Sequence, residues 1–349
     1  MYINALSEAK MTTTSYKPEW IREDFIDFIA EKFDAIWAYK RVKAQLVKSR
    51  CVGIGFYELS FLANRNFKAA NYQPGQCVLV TVVKDGVRHQ RSYSIVEINT
   101  SGHVVIAVKQ QGKVSNCLTQ LKTGDVVELS QPQGEFGLKL NSDRPILLLA
   151  SGSGITSIMA LFQQAIQLEL TVDLIYFNRD DAYLDELNQL AKQSTYAHLH
   201  AINTLETKLH ISPELLNHMV PDFKQRDCYA CGAAQMMQSI EQLYRELRLS
   251  DYLNTEYFQM IADDSVPAQP VTFSLAQQDF LAEGNLLESA EKAGLKPAHG
   301  CRMGICNTCS CTKLQGSVKN LLTGEIDHAN NTQIKLCVSQ AISPVRIQL

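Results

Sequence analysis

Pro145-Ile-Leu-Leu-Leu-Ala-Ser-Gly-Ser-Gly-Ile-Thr156 carries the pattern on which the fold turns. Pro145–Ala150 is an unbroken apolar run, the signature of a strand buried on both faces. It feeds into the glycine-rich Ser151–Thr156 and then into a helical pattern. Strand, glycine turn and helix in that order offer backbone N–H groups to a nucleotide diphosphate. The turn is Gly152-Ser153-Gly154-Ile155-Thr156. It is not G-x-G-x-x-G, so the dinucleotide fingerprint is unmet and a plain tight turn is the competing reading. Val172–Phe177, His198–Ile202 and Cys228–Cys231 read as further strands separated by helical stretches. That alternation predicts a parallel sheet covered on both faces. Asn178-Arg179 and Cys231-Gly232-Ala-Ala-Gln-Met236 follow two of these strands. Ligands of open parallel sheets sit at the carboxyl ends of strands, so these segments and the Gly152 turn are expected to line one crevice.

Upstream, residues 46–140 change character. Gln76–Val83, Val87–Val96 and Val104–Lys109 are short strand-like runs separated by Gly, Asn and Asp, which reads as a small antiparallel barrel or sandwich. Within it lies Arg91-Ser92-Tyr93-Ser94. A flavin needs an aromatic face, a hydrogen-bond partner for N5 and a cation for its phosphate, and Tyr93, Ser94 and Arg91 offer these in turn. Gly112-Lys-Val114-Ser115-Asn116 opens a short helix expected over Asn116–Leu121, a second anion site just beyond Lys109. It suits a diphosphate, hence FAD over FMN. The tetrapeptide alone reads equally well as an edge-strand accident; its place between Pro74-Gly75-Gln76 and the glycine loop is what marks it.

Downstream, Ala262–Pro270 is a polar linker, followed by a strand at Val271–Leu275, a helix at Leu286–Ala293 and a closing strand at Val345–Leu349. Between them stands Cys301-Arg-Met-Gly-Ile-Cys306-Asn-Thr-Cys309, with Cys337 further on. C-x4-C-x2-C plus a distant fourth cysteine is the plant-type [2Fe–2S] spacing. Gly300 and Gly304 allow the loop to turn its N–H groups toward the sulfurs. The competing readings are a zinc site or unrelated buried cysteines; Cys228-Tyr-Ala-Cys231 is a second C-x2-C, but on an expected buried strand. Cys311 is left out of the ligand set.

Composition agrees with this. The 349 residues suit two or three domains. A net charge of -3 argues against a nucleic-acid binder. No apolar run approaches the ~20 residues of a membrane span, and the first residues lack a secretory pattern. Ten cysteines without such a leader point to redox or metal work in a reducing, cytoplasmic setting.

Taken together and in this order, the segments resemble the ferredoxin–NADP reductase superfamily, and within it the oxygenase and desaturase reductases with a C-terminal ferredoxin domain. The resemblance covers about residues 46–349. Behind a tail and N-terminal helix over 1–45, it implies a multidomain chain: an FAD-binding β-barrel over 46–140, an α/β NAD(P)-binding domain over 141–262, and a β-grasp ferredoxin domain over 270–349. It implies Arg91, Ser92, Tyr93, Ser94, Lys109, Gly112, Val114 and Ser115 on FAD. For the nicotinamide nucleotide it implies Gly152, Ser153, Gly154, Ile155, Thr156, Asn178, Arg179, Cys231, Gly232 and Met236. Cys301, Cys306, Cys309 and Cys337 become the cluster ligands. Ser94, Cys231 and Glu256, in Thr255-Glu-Tyr-Phe258, become the catalytic set. Three positions depart from the pattern: Ser157 and Ala233 replace prolines, and Asn203-Thr204 stands where NADPH users have Ser-Arg, leaving Arg179 for a 2′-phosphate. NADPH is preferred over NADH on that basis. The implied activity is an NAD(P)H:acceptor oxidoreductase feeding a non-haem iron oxygenase or fatty-acid desaturase. Rival readings are a soluble aromatic-ring or acyl-CoA oxygenase as the partner, and a redox-sensing Fe–S protein without turnover.

The first residues lie outside that pattern. Residues 1–15 read as a disordered tail. Trp20, Ile21, Phe25, Phe28, Ile29, Phe33, Ile36 and Trp37 recur at steps of three and four behind Pro18, which predicts an amphipathic helix. Its apolar face is expected to pack on the body of the protein; the alternative is docking to a membrane-bound partner, with peripheral contact at the inner face.

Overall fold

The computed structural model describes residues 23–207, 209–260 and 262–349, with side chains from Phe25 onward. The expected tail, Pro18, Trp20 and Ile21 lie outside these.

Six strands rich in alternating Val, Leu and Ile close into an antiparallel barrel. They are β1 (Val42–Gly53), β2 (Phe56–Ala63), β3 (Cys77–Lys84), β4 (Val87–Ile98), β5 (Val104–Lys109) and β6 (Val126–Leu129), in the order β1-β2-β5-β4-β3-β6. Leu46, Leu59, Phe61, Val80, Ile95 and Ile106 fill it. The barrel starts at Val42, inside the stretch assigned by sequence to the helical extension. Val42 and Ala44 point into the barrel core, while Lys43 between them is buried and paired with Glu31. A buried lysine hides the strand from a hydrophobicity pattern. Helix α2 (Lys113–Thr119) starts three residues before the expected position, capped at Gly112.

The second unit is a parallel sheet of β7 (Ile146–Ser151), β8 (Val172–Asn178), β9 (Ala197–Asn203), β10 (Asp227–Cys231) and β11 (Leu253–Glu256), in the order β11-β10-β7-β8-β9. Helices α3 (Ile155–Gln167), α4 (Leu184–Ala191), α5 (Pro213–Met219) and α6 (Ala234–Glu246) connect the strands. Leu148 and Ala150 pack with Ile158 and Phe162, whereas Leu147 and Leu149 pack with Met237 and Ile240. Both faces of β7 are thus buried, and each such leucine contributes about 2 kcal/mol. The chain moves from β7 to β8 and β9 on one side, then to β10 and β11 on the other. The carboxyl ends of β7 and β10 therefore flank a topological switch point, where such sheets open a ligand crevice.

The third unit is a β-grasp domain. Strands β12 (Gln269–Phe273), β13 (Gln278–Ala282), β14 (Ser310–Gln315), β17 (Thr332–Lys335) and β19 (Val345–Ile347) form a mixed sheet over α7 (Leu286–Lys292). Strands β15 (Val318–Asn320), β16 (Ile326–Asp327) and β18 (Ser339–Ala341) form a smaller one.

The barrel and the parallel sheet share one core, in which Phe56, Val96 and Val105 meet Tyr176 and Tyr183. Arg50 rims it, pairing with Glu58 at 2.7 Å and Glu186 at 2.5 Å. The β-grasp domain joins through a smaller contact of Leu79, Cys301 and Met303 with Phe258, and through Asp263, 2.9 Å from Lys319.

Helix α1 (Glu23–Ala30) ends before the Phe33, Ile36 and Trp37 that the pattern includes, and its apolar face does not pack on the body. Phe25, Phe28, Ile29 and Phe33 are 61%, 57%, 46% and 90% exposed. The inward face is polar instead. Buried Asp27 binds Arg41 and the Tyr39 N–H, and Glu31 pairs with Lys43. Ile26 in the helix, and Ile36 and Trp37 beyond it, are half-buried. No helix among the described residues is long and apolar enough to cross a membrane.

Candidate functional site

The three units meet around a cavity of about 980 Å³. Its wall brings together Arg91, Ser92, Tyr93 and Ser94 of β4, Lys109 at the end of β5, and Gly112, Val114 and Ser115 at the start of α2. Gly152, Ser153 and Thr156 after β7, Asn178 and Arg179 after β8, and Gly232 and Met236 after β10 complete the sheet side. Cys301 and Cys337 close it from the β-grasp domain. Gly154, Ile155, Cys231 and Glu256 lie behind this surface, buried.

On the barrel side the residues present fit a flavin. The Arg91 guanidinium donates to the Gln90 carbonyl at 2.7 Å and pairs with no carboxylate among the described residues. Burial, then nearby Arg302, holds its pKa below the usual arginine value, so an anion in the cavity relieves both. Ser92 Oγ is buried without a hydrogen-bond partner. Ser115 is committed elsewhere: its hydroxyl accepts from the Gln111 and Gly112 N–H groups and donates to the Gly112 carbonyl. It shapes the loop, while the first N–H groups of α2 have no intrahelical partner. Lys109 bonds Asp180 at 2.5 Å and the Ile54 carbonyl at 2.7 Å, tying the barrel to the β8 end.

Between barrel and sheet lies a buried polar line. Ser94 Oγ and Ser157 Oγ are 2.8 Å apart, and both are buried. Ser157 Oγ is 3.9 Å from Cys231 Sγ. The parallel register sets Cys231 beside Glu256. The Ser157 hydroxyl faces that carboxyl and favours its ionised form, but burial dominates and pushes it up to about 7. Glu256 Oε2 has no hydrogen-bond partner. Burial, with Glu256 adjacent, holds the Cys231 thiol neutral.

On the sheet side, Gly154 lets α3 approach β10. A Cβ there would meet the Cys231 carbonyl at 2.1 Å, which restricts the position to glycine. The Asn178 amide is buried with neither its oxygen nor its nitrogen bonded, the kind of group a ribose or amide satisfies. Thr204 lines the cavity, whereas Asn203 caps its own turn through the Leu205 N–H. Cys228 and Cys231 fall on opposite faces of β10, in different cores, so this C-x2-C cannot bind one zinc ion.

The C-terminal loop fits a cluster. Cys309 Sγ is 3.3 Å from Cys337 Sγ. Cys301 Sγ accepts from the Met303 and Cys306 N–H groups at 3.3 Å, and Cys306 Sγ from the Cys301 N–H and the Thr308 hydroxyl at 3.2 Å. Left-handed backbone at Arg302, Gly304 and Asn307 winds the loop around the sulfurs. Neighbouring S–H donors push the Cys301 and Cys309 thiols down, and the same contacts push Cys306 and Cys337 up. Four close sulfurs met by N–H donors are the thiolate environment an Fe–S cluster requires. Cys311 points into the domain core, and burial raises its thiol to about 12.

Ser157, Arg302, Met303 and Phe258 were not singled out as site residues. Arg302 and Met303 sit inside the cysteine motif and Phe258 two residues after Glu256, so proximity was the available signal. Ser157 was visible only as a departure.

Residues 43–137 match an oxidoreductase FAD-binding domain, and residues 276–341 a 2Fe-2S iron-sulfur cluster binding domain. An NADPH oxidoreductase of Mycobacterium tuberculosis is 29% identical over 287 residues, covering 78% of this chain and 75% of that protein. The glycine betaine monooxygenase reductase subunit of Chromohalobacter salexigens is 24% identical over 320 residues, covering 79% and 87%. In fold, the chain is similar to phthalate dioxygenase reductase, with a TM-score of 0.58 at 22% identity, covering 88% of this chain and 97% of that one. With a flavin barrel, a nucleotide sheet and a four-cysteine domain in this order, the chain is an NAD(P)H oxidoreductase that carries an FAD-binding domain and a C-terminal [2Fe–2S] domain, and its fold is that of phthalate dioxygenase reductase.

Proposed function

We propose that this chain is a reductase component that passes electrons from NADPH through FAD and the [2Fe–2S] cluster to a non-haem iron oxygenase or desaturase. The supporting observation is the shared cavity: the flavin strand Arg91–Ser94 and the cluster ligands Cys301 and Cys337 face one space. When bound, the flavin accepts two electrons as hydride and releases them singly to the cluster. Tyr93 would cover one face of the ring, Ser94 would bond its N5 edge, and unpaired Arg91 would hold its phosphate. The N–H groups around Gly112 would take the remaining phosphate, which favours FAD. Gly152–Thr156 and Gly232 would seat the nucleotide diphosphate at the switch point, with Arg179 on the 2′-phosphate. Cys231 and Glu256, packed behind, would fix the nicotinamide position and manage the proton. Positioning carries most of the rate, because hydride transfer needs close, aligned atoms.

Two finer assignments follow. The exposed Phe25, Phe28, Ile29 and Phe33 are the surface on which a partner, including a membrane-bound one, would dock. Ten free cysteines suit a reducing cytoplasm, with any membrane contact peripheral and made through the partner. The test is NADPH-driven cytochrome c reduction by the reconstituted chain. Rapid turnover that falls to background in Cys301→Ser, with ferricyanide reduction retained, supports the reading. A chain that binds no flavin, or turns over equally without its cluster, refutes it.

A further inference from the structure

Strand β17 ends on Lys335, which stands opposite Ser310 of β14. That register sets the Lys335 backbone beside two of the four cysteines: Cys309 directly precedes Ser310, and Cys337 follows Lys335 across Leu336. The Leu336 N–H donates to the Cys309 carbonyl at 3.2 Å, and the Cys309 and Cys337 sulfurs meet. The Lys335 side chain then reaches across to the other half of the loop. Its Nζ donates to the carbonyl of Gly304, which lies between Cys301 and Cys306. Gly304 in turn packs on Val338, the neighbour of Cys337; a Cβ at Gly304 would lie 3.0 Å from Val338 Cγ1. One ammonium is thus carried from the Cys309–Cys337 side of the site to the Cys301–Cys306 side. Its charge is not offset there. Arg302, the cation inside the loop, is paired with Glu291, whereas Lys335 has no carboxylate within ion-pair distance among the described residues. Lys335 is also half-buried, so water and salt screen it less than a surface lysine.

We propose that the Lys335 ammonium raises the reduction potential of the [2Fe–2S] cluster, so that an electron leaving the flavin settles on the cluster. This rests on the reading of Cys301, Cys306, Cys309 and Cys337 as the cluster ligands. A cluster becomes one charge more negative when it takes an electron. A fixed, weakly screened cation beside it favours that state, and cluster potentials follow local charge and hydrogen bonding. The N–H groups that meet the Cys301 and Cys306 sulfurs act in the same direction, but they come from neutral peptides. Lys335 adds a full charge. The bond to the Gly304 carbonyl fixes where that charge sits; left free, a four-carbon stem would carry its head into water.

The test is an EPR-monitored redox titration of the full chain loaded with FAD and cluster, with the flavin potential read from absorbance in the same sample. Lys335→Gln and Lys335→Met should each shift the flavin–cluster electron equilibrium at least tenfold toward the flavin. That is a fall of about 59 mV or more in the cluster potential, with the flavin potential unchanged. Lys335→Arg, which keeps both charge and donor, should keep the wild-type potential. A wild-type potential in Lys335→Gln, or a fall in Lys335→Arg equal to that in Lys335→Met, overturns the proposal, because the charge would then not be what matters. Loss of the cluster's visible absorption from both neutral variants overturns it too, by showing that Lys335 builds the loop instead. A wild-type chain that takes up no cluster would refute the ligand reading beneath it.

Discussion

Replacing Gly154 with alanine tests how the nucleotide turn is built. The added Cβ would lie 2.1 Å from the Cys231 carbonyl oxygen and 2.7 Å from the Gly232 nitrogen, where ordinary contact begins at 3.4 Å. All the groups that would have to move are backbone: the start of α3 and the end of β10, both central to the sheet unit. Overpacking a core costs 1–3 kcal/mol, and with no flexible side chain to yield the upper end applies, about 3 kcal/mol. For a unit of this size that lowers Tm by roughly 6–12 °C. Gly152 is the control. It has φ of +52° and open space around its Cβ position, so Gly152→Ala carries only the left-handed penalty of about 1 kcal/mol. The two variants are compared by differential scanning calorimetry and by nucleotide titration of the flavin absorbance. Gly154→Ala should melt well below Gly152→Ala and bind nucleotide more weakly. Equal Tm values for the two would refute the close-approach argument.

Replacing any of Cys301, Cys306, Cys309 or Cys337 with serine should abolish the cluster's visible absorption, whereas Cys311→Ser should keep it; absorption and EPR spectra decide. Ser94→Ala should slow flavin reduction by NADPH at least tenfold in stopped flow, about 1.4 kcal/mol, with the cluster spectrum unchanged. Glu256 has a carboxyl raised to about 7, so its contribution to stability is complete below its unfolded pKa and is lost as pH rises through 7. Glu256→Gln should therefore gain stability over the wild type at pH 8, by up to roughly 3 kcal/mol, and lose that advantage near pH 4.5; urea unfolding at the two pH values measures it. Phe25→Ser, Phe28→Ser and Phe33→Ser together should leave Tm and ferricyanide reduction unchanged while lowering partner-coupled turnover, and a fall in ferricyanide reduction would count against a docking role.

How much of this was legible depended on the range of the determining interaction. Pro145–Ala150 was readable because a strand buried on both faces needs only apolar residues, and its glycine turn is contiguous with it. The [2Fe–2S] domain was readable for the same reason: three of its cysteines and the N–H donors that meet their sulfurs lie in one short loop. The start of β1 was hidden because Lys43 is buried through a distant acid, Glu31. The packing of α1 was misread because its periodic aromatic stripe faces outward, while Asp27 and Glu31 on the other face find cations in Arg41 and Lys43. The Ser94–Ser157–Glu256 line could not be read from spacing, since its members are joined only when the barrel docks on α3 and β11 lies beside β10.

The unequal junctions between the three units bear on how the chain comes apart. Phe56 and Tyr183 stack edge to face across the barrel–sheet boundary with ring centroids 5.8 Å apart, inside one continuous core. Those two units should therefore melt as a single cooperative block. The β-grasp domain has its own core and touches the rest through a handful of side chains around Phe258. It behaves as a detachable cartridge on the tether at residues 262–268. A protease cut in that tether should leave a block that still oxidises NADPH with two-electron dyes, having lost its one-electron outlet.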